Sequence, residues 1–224
     1  MIRLCILDCD GTLVDSQHGI VAAMSEAFAA NGVPGPSAAD VRSVVGLSLN
    51  DAIATLLLTD DTPRIEAVAE SYVENIRAMR LRNDFNEPLY PGVIDALDVL
   101  ESRGWLLAVA TGKSLRGAMS TLTAHNLAER FTSIQTADVA PGKPAPDMIL
   151  RAIADVGGTS KDTIMIGDSG FDMLAARNAK VTAIGVGWGY QEEAALMAAG
   201  AHTVVHSAEQ LPPLVELLVP GDDG

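Results

Sequence analysis

Asp8 and Asp10, two carboxylates separated by one residue, close an apolar run near the start of the chain, in Asp8-Cys9-Asp10-Gly11-Thr12-Leu13-Val14-Asp15-Ser16. On extended chain, residues two apart project to the same side. The end of a buried strand has no use for two acids unless a cation or a reaction holds them there. Gly11 then permits a sharp exit from the strand. Three further clusters carry complementary chemistry. In Val109-Ala110-Thr111-Gly112-Lys113 a hydroxyl and a free backbone N–H at a strand end can each grip one oxygen of an anion. In Gly142-Lys143-Pro144-Ala145-Pro146-Asp147 a lysine offers a mobile positive charge and Pro144 suits the opening of a helix. In Ile166-Gly167-Asp168-Ser169-Gly170-Phe171-Asp172 two acids at helical spacing face one crevice.

Brought together, Asp8, Asp10, Asp168 and Asp172 are opposed only by Lys143 and, on one reading, Lys113. Such a group calls for a divalent cation. Oxygen ligands without His or Cys point to Mg²⁺. Mg²⁺ beside Thr, Lys and a backbone N–H is equipment for holding a phosphoryl group.

The elements that must position these residues follow from hydropathy. Short apolar runs at Ile2–Leu7, Trp105–Ala110, Thr163–Ile166 and Val181–Val186 read as buried strands. Between them, Val93, Ile94, Leu97 and Leu100, and Met148, Ile149, Ala152, Ile153 and Val156, recur at helical spacing. Strands alternating with helices predict an α/β fold, a parallel sheet covered on both faces. Open sheets of this kind bind ligands at the C-terminal edge, where all four clusters fall. The stretch from Asp8 to Thr111 exceeds a βαβ unit by about 70 residues. Within it, Ile20, Met24 and Phe28, then Val41, Val44 and Val45, then Leu49, Ile53 and Leu56, then Ile65, Val68 and Tyr72 keep helical spacing. We therefore read residues 16–87 as an inserted all-helical domain on a core made of residues 1–15 and 88–224. Its connections are Asp15–Gln17 and Asn83–Gly92, and the tail at 220–224 is expected to fray.

Composition narrows the function classes. The 224 residues are 48% apolar and 20% charged, which suffices for a core. Fifteen basic residues against 29 acidic ones give a net charge of −14 and argue against nucleic acid or anionic membrane as partner. The 4% of aromatic residues leaves little for base stacking. No stretch reads as an export signal or a membrane span. Cys5 and Cys9, four apart on extended chain, are too distant for a disulfide and read as buried thiols in a cytoplasmic protein. The scattered histidines read as surface residues. Met119, Met148, Met165 and Met173 read as core filler, and Gly185, Gly187 and Gly189 as a turn rather than a dinucleotide loop.

The four clusters, in this order and spacing, resemble the four motifs of the haloacid dehalogenase (HAD) superfamily. The helical insertion resembles its C1-type cap. The string beginning at Asp8, the segment Val45-Gly46-Leu47-Ser48-Leu49, and Gly187-Trp188-Gly189 look like the phosphoglycolate-phosphatase branch. The resemblance implies a doubly wound, Rossmann-like parallel sheet core with an inserted helical cap. It implies that Asp8 is a nucleophile forming an aspartyl-phosphate. Asp10 would protonate the leaving alkoxide and then deprotonate water. Asp8, the main-chain carbonyl of Asp10 and Asp168 would hold Mg²⁺. Thr111, Gly112 and Lys143 would bind the phosphoryl oxygens, and Thr12 would help to orient Asp10. Asp172 would act through a metal-bound water or by orienting Lys143. The cap would close to exclude water. Cys9 departs from the bulkier residue common between the two acids.

The expected substrate is a small phosphorylated metabolite handled by a monomer or homodimer, with phosphoglycolate leading. Its carboxylate would pair with one of Arg42, Arg64, Arg77, Arg80 or Arg82. Pyrophosphate, a phosphosugar, or a mutase reaction on one are the alternatives. Asp10 argues against dehalogenation, which protonates no alkoxide. The lack of lysine between residues 16 and 87 argues against Schiff-base phosphonate cleavage. A phospho-acceptor signalling module or a binding protein without turnover is the reading from a different class. Lys113 stays open between a phosphate ligand and a surface lysine opening a helix.

Overall fold

The computed structural model describes residues 2–221, so residues 222–224 of the expected frayed tail lie outside the described residues. Six strands form: β1 (Leu4–Leu7), β2 (Leu106–Thr111), β3 (Phe131–Thr136), β4 (Thr163–Gly167), β5 (Thr182–Val186) and β6 (Thr203–Val205). They make one parallel sheet in the order β3-β2-β1-β4-β5-β6. The unbroken apolar run of β1 suits its central, fully buried place. The chain winds outward from β1 through β2 to β3, then returns to β4 on the other side of β1. The topological switch point therefore lies between β1 and β4.

Side chains alternate across the sheet. Cys5 and Leu7 face the cluster built with Val93, Leu97 and Leu100 of α5 (Val93–Ser102) and Leu211 and Val215 of α10 (Leu211–Leu218). Leu4 and Ile6 face the opposite cluster. It is built with Met148 and Ile149 of α7 (Asp147–Val156), Met173 and Ala176 of α8 (Gly170–Ala179), and Leu196 of α9 (Glu193–Ala199). α6 (Leu115–Ala124) follows β2.

Two strands lie outside the sequence expectation. β3, Phe-Thr-Ser-Ile-Gln-Thr, is an edge strand whose polar residues pair locally; the Gln135 side-chain amide donates to Ser133 Oγ and to Asp155. Its apolar signal is accordingly weak. β6 spans only three residues, too few to show a period.

Between β1 and α5 the chain forms α1 (Gln17–Ala30), α2 (Ala38–Val44), α3 (Leu49–Leu57) and α4 (Thr62–Leu81). Ser37 and Ser48 cap α2 and α3 by accepting from Asp40 and Asp51 N–H. These helices share their own apolar cluster, with Ile20, Met24, Phe28, Val41, Ile53 and Val68 at its centre. The chain segments entering and leaving this insertion run side by side. Asp15 N–H donates to Pro88 O (2.8 Å) and Tyr90 N–H to Leu13 O (3.0 Å). No helix among the described residues is long and apolar enough to cross a membrane.

Candidate active site

The register of the sheet sets the site. Leu7 of β1 is level with Val109 of β2 and Ile166 of β4. Asp8 continues the ladder by one bond, its N–H donating to Ile166 O (3.0 Å). Asp8, Thr111 and Asp168 thus emerge together at the C-terminal edge, beside the switch point. All three are buried, with exposures of 1%, 1% and 2%.

Lys143 reaches the edge from the loop before α7 and is itself buried. Its Nζ lies 3.0 Å from Asp8 Oδ1 and 2.6 Å from Asp172 Oδ1, and donates to Ala110 O at 3.1 Å. Burial works against its charge, but Asp172 and Asp8 outweigh that and hold it above the usual lysine range. Asp8 Oδ1 also accepts from Cys9 N–H (2.7 Å). Asp172 serves two ends at once. It pairs with Lys143, and its Oδ2 accepts from Ser169 N–H (3.0 Å) and Ser169 Oγ (2.6 Å) in the capping box of α8. The capping box of α8 is thus what aims Asp172 at Lys143.

The fit of a cation can be judged from the donors. Carboxylate oxygens of Asp8, Asp168 and Asp172, all buried, lie within 4.8 Å of one another. Burial pushes the Asp8 carboxyl up to about 7, against the pull of Lys143 and with the push of Asp172 and Asp10. Burial, then Asp172 and Asp8, likewise raise Asp168. One ammonium does not balance three buried acids, and a hard divalent ion would. The donor set fits Mg²⁺. The Asp10 side chain is not part of this group.

One expectation about orientation needs correcting. Thr12 does not hold Asp10: its Oγ1 donates to Asp168 Oδ1 (3.2 Å), because the turn at Gly11 carries it across to β4. Asp10 is held instead by Ser16, whose Oγ donates to Asp10 Oδ1, and by Lys113, whose Nζ lies 2.9 Å from the same oxygen. Lys113 is no surface lysine. It also reaches Glu87 Oε1 at 2.9 Å, and its side chain is 12% exposed. Gly11 has φ of 80°, and a Cβ there would collide with the Asp168 carboxylate. From the far side, Tyr190 N–H donates to Asp168 Oδ2 (2.8 Å) and Trp188 Nε1 to Thr12 O (3.1 Å). The segment read as a turn after β5 thus braces the acid at the end of β4.

The insertion roofs this edge. Its Gly46–Leu47 carbonyls lie so close to Gly112 that a Cβ at Gly112 would collide with Leu47 O, and Gly46 packs on Ser169. Beneath lies a cavity of about 460 Å³. Asp8, Asp10, Thr111, Gly112 and Lys113 form its floor; Ile20, Met24, Tyr72, Ile76 and Phe85 supply an apolar wall. Of the five arginines expected as candidates, only Arg77 and Arg80 line it, joined by Arg116 from α6. Arg80 is committed to Glu87 (2.8 Å) and lies over the Phe85 ring. Sequence reasoning missed Ser16, Glu87, Arg116 and Tyr190. Ser16 ends the acidic string and was visible there. Glu87 sits in a connection with no pattern to mark it.

Fold and site together define a doubly wound α/β protein with an acidic, lysine-braced site at its switch point and a helical roof. Residues 5–186 match the family model described as haloacid dehalogenase-like hydrolase, and the chain belongs to that family. It is similar to the probable phosphatase IndB of Dickeya dadantii, at 35% identity over 94% of this chain and 92% of the relative. It is also similar to a phosphoglycolate phosphatase of Agrobacterium fabrum, at 36% identity over 84% and 82%. Among solved structures, a hydrolase from Pseudomonas syringae superimposes with a TM-score of 0.84, at 28% identity over 96% of this chain and 98% of the other.

Proposed function

We propose that the protein is a Mg²⁺-dependent phosphomonoester hydrolase that works through an aspartyl-phosphate on Asp8. The observation that carries this reading is the division of labour between the two acids of one turn. Asp8 is locked by Lys143 and Cys9 N–H among the ion-holding carboxylates, whereas Asp10 turns away from them to face the cavity. A nucleophile and a separate proton carrier are what phosphoryl transfer to an acid and then to water requires.

In this reading an Asp8 oxygen attacks phosphorus and the P–O bond to the leaving alcohol breaks. Asp10 gives its proton to that oxygen. Asp10 then takes a proton from water as the water attacks phosphorus, which frees Asp8 and yields phosphate. Thr111, the Gly112 N–H and Lys143 hold phosphoryl oxygens. Asp8, Asp168 and the Asp10 carbonyl, with Asp172 at the rim, would hold Mg²⁺, which supplies charge neutralisation at the phosphoryl group. The roof formed by Gly46 and Leu47 excludes water from the reacting centre.

Phosphoglycolate leads as substrate, since Arg77 and Arg116 have no ion-pair partner among the described residues and suit a second anionic group. The cavity favours a second reading. Its volume of about 460 Å³ and apolar wall exceed what a two-carbon acid fills, so a phosphosugar or similarly bulky ester competes with it. Buried free thiols at Cys5 and Cys9 suit the cytoplasm. The test is phosphate release from a panel of phosphometabolites with Mg²⁺. Turnover that is lost in EDTA and lost in Asp8→Asn supports the proposal. Full activity under either condition would falsify it.

A further inference from the structure

Lys113, which holds Asp10, and Glu87, to which no role was assigned above, belong to one partly buried chain of charges. Lys113 Nζ sits between Asp10 Oδ1 (2.9 Å) and Glu87 Oε1 (2.9 Å). Glu87 is fixed in turn by Arg80 (2.8 Å, Oε2) and by Thr121 Oγ1, which lies 3.0 Å and 3.1 Å from its two oxygens. The main chain of Glu87 is held as well, its carbonyl lying 2.7 Å from His125 Nε2. Glu87 belongs to the segment returning from the insertion to α5, and Arg80 belongs to the end of α4. The chain of contacts thus runs from the roof, through the return segment, to the acid that faces the cavity.

Its chemical consequence lies in which oxygen it uses. Both groups that meet the Asp10 carboxylate, Ser16 Oγ as a hydrogen-bond donor and Lys113 Nζ as an ion-pair partner, meet Oδ1. Among the described residues, Oδ2 receives no hydrogen bond. A carboxylate held at one oxygen by a hydroxyl and an ammonium is restricted in rotation, and its other oxygen is left to exchange a proton with the leaving group.

We propose that Lys113 is a positioning residue for Asp10, that Glu87 fixes Lys113, and that the pair sets the geometry of proton transfer rather than of phosphoryl binding. This rests on the hydrolase reading above. It predicts a dependence on leaving group. Departure of an alkoxide needs the proton from Asp10, whereas p-nitrophenolate leaves without help. kcat/KM reports steps up to the first irreversible one, so it isolates leaving-group departure from the later attack of water, which Asp10 also serves.

The experiment compares kcat/KM for an alkyl phosphate and for p-nitrophenyl phosphate in wild type, Lys113→Met, Glu87→Gln and the double variant, with Mg²⁺ present. The expected loss in Lys113→Met is about 10- to 100-fold for the alkyl ester and within about threefold for p-nitrophenyl phosphate. Glu87→Gln should show the same selectivity in weaker form. The double variant removes opposite charges together, which guards against misfolding, and should match Lys113→Met rather than multiply with Glu87→Gln. An equal loss on both esters in every variant, or no loss on either, overturns the proposal. Wild type inactive on both esters and across the phosphometabolite panel would instead overturn the hydrolase reading.

Discussion

At the scale of single residues, two acids in one turn differ because of what meets them. Asp8 lies in a buried group with Asp168, Asp172 and Lys143; Asp10, two residues on, is turned to Ser16, Lys113 and the cavity. Replacing each tests that difference. Asp8→Asn should cut turnover of any phosphate ester by at least about 10,000-fold, since no nucleophile is left. Asp10→Asn should cut kcat/KM for an alkyl ester by about 100- to 10,000-fold, and inorganic phosphate should still protect it from thermal unfolding. Steady-state kinetics and melting curves check both. The four acids were legible in the sequence because burial makes an acid conspicuous wherever a strand ends. Ser16 and Thr12 were harder. Both carry hydroxyls in one string, and only the direction of the turn at Gly11 decides that Thr12 goes to Asp168 and Ser16 to Asp10.

At the scale of elements, the roof and the return segment do the positioning. Gly112→Ala would place a methyl group against the Leu47 carbonyl, so the roof must lift. The expected result is a loss of at least about tenfold in kcat/KM, with the fold intact by circular dichroism. Glu87 gives a pH test. Burial works to raise its carboxyl, but Lys113 and Arg80 prevail and hold it below the usual range. A depressed carboxyl adds stability that is complete above its unfolded value and is lost as pH falls through its folded value. At neutral pH, Glu87→Gln should cost about 3 kcal/mol in urea unfolding. The gap to wild type should close as the pH falls below the unfolded carboxylate range. A gap that stays constant down to acid pH would contradict the charge assignment. The strands at the centre of the sheet and the helical insertion were readable because long apolar periods report burial. β3 was not, since Ser133 and Gln135 satisfy each other and Asp155 at a sheet edge where apolar residues are not required.

At the scale of the whole molecule, winding outward from β1 in both directions opens a crevice at the switch point, and the insertion closes over it. Residues from β1, β2, the loop before α7 and β4 meet there although the sequence separates Asp8 from Asp168 by most of the core. Their buried negative charge predicts that a bound divalent ion would stabilise the fold. Mg²⁺ should raise the melting temperature of wild type and fail to do so in Asp168→Asn, as follows when a ligand binds only the native state. How the five insertion arginines distribute was not legible, because only packing decides that Arg77 and Arg80 face the cavity while Arg82 pairs with Asp84. The central claim is the covalent one. Enzyme quenched during turnover, reduced with borohydride and mapped by mass spectrometry should carry homoserine at position 8 in place of aspartate. Reduction at another residue, or none while phosphate is being released, would contradict the account.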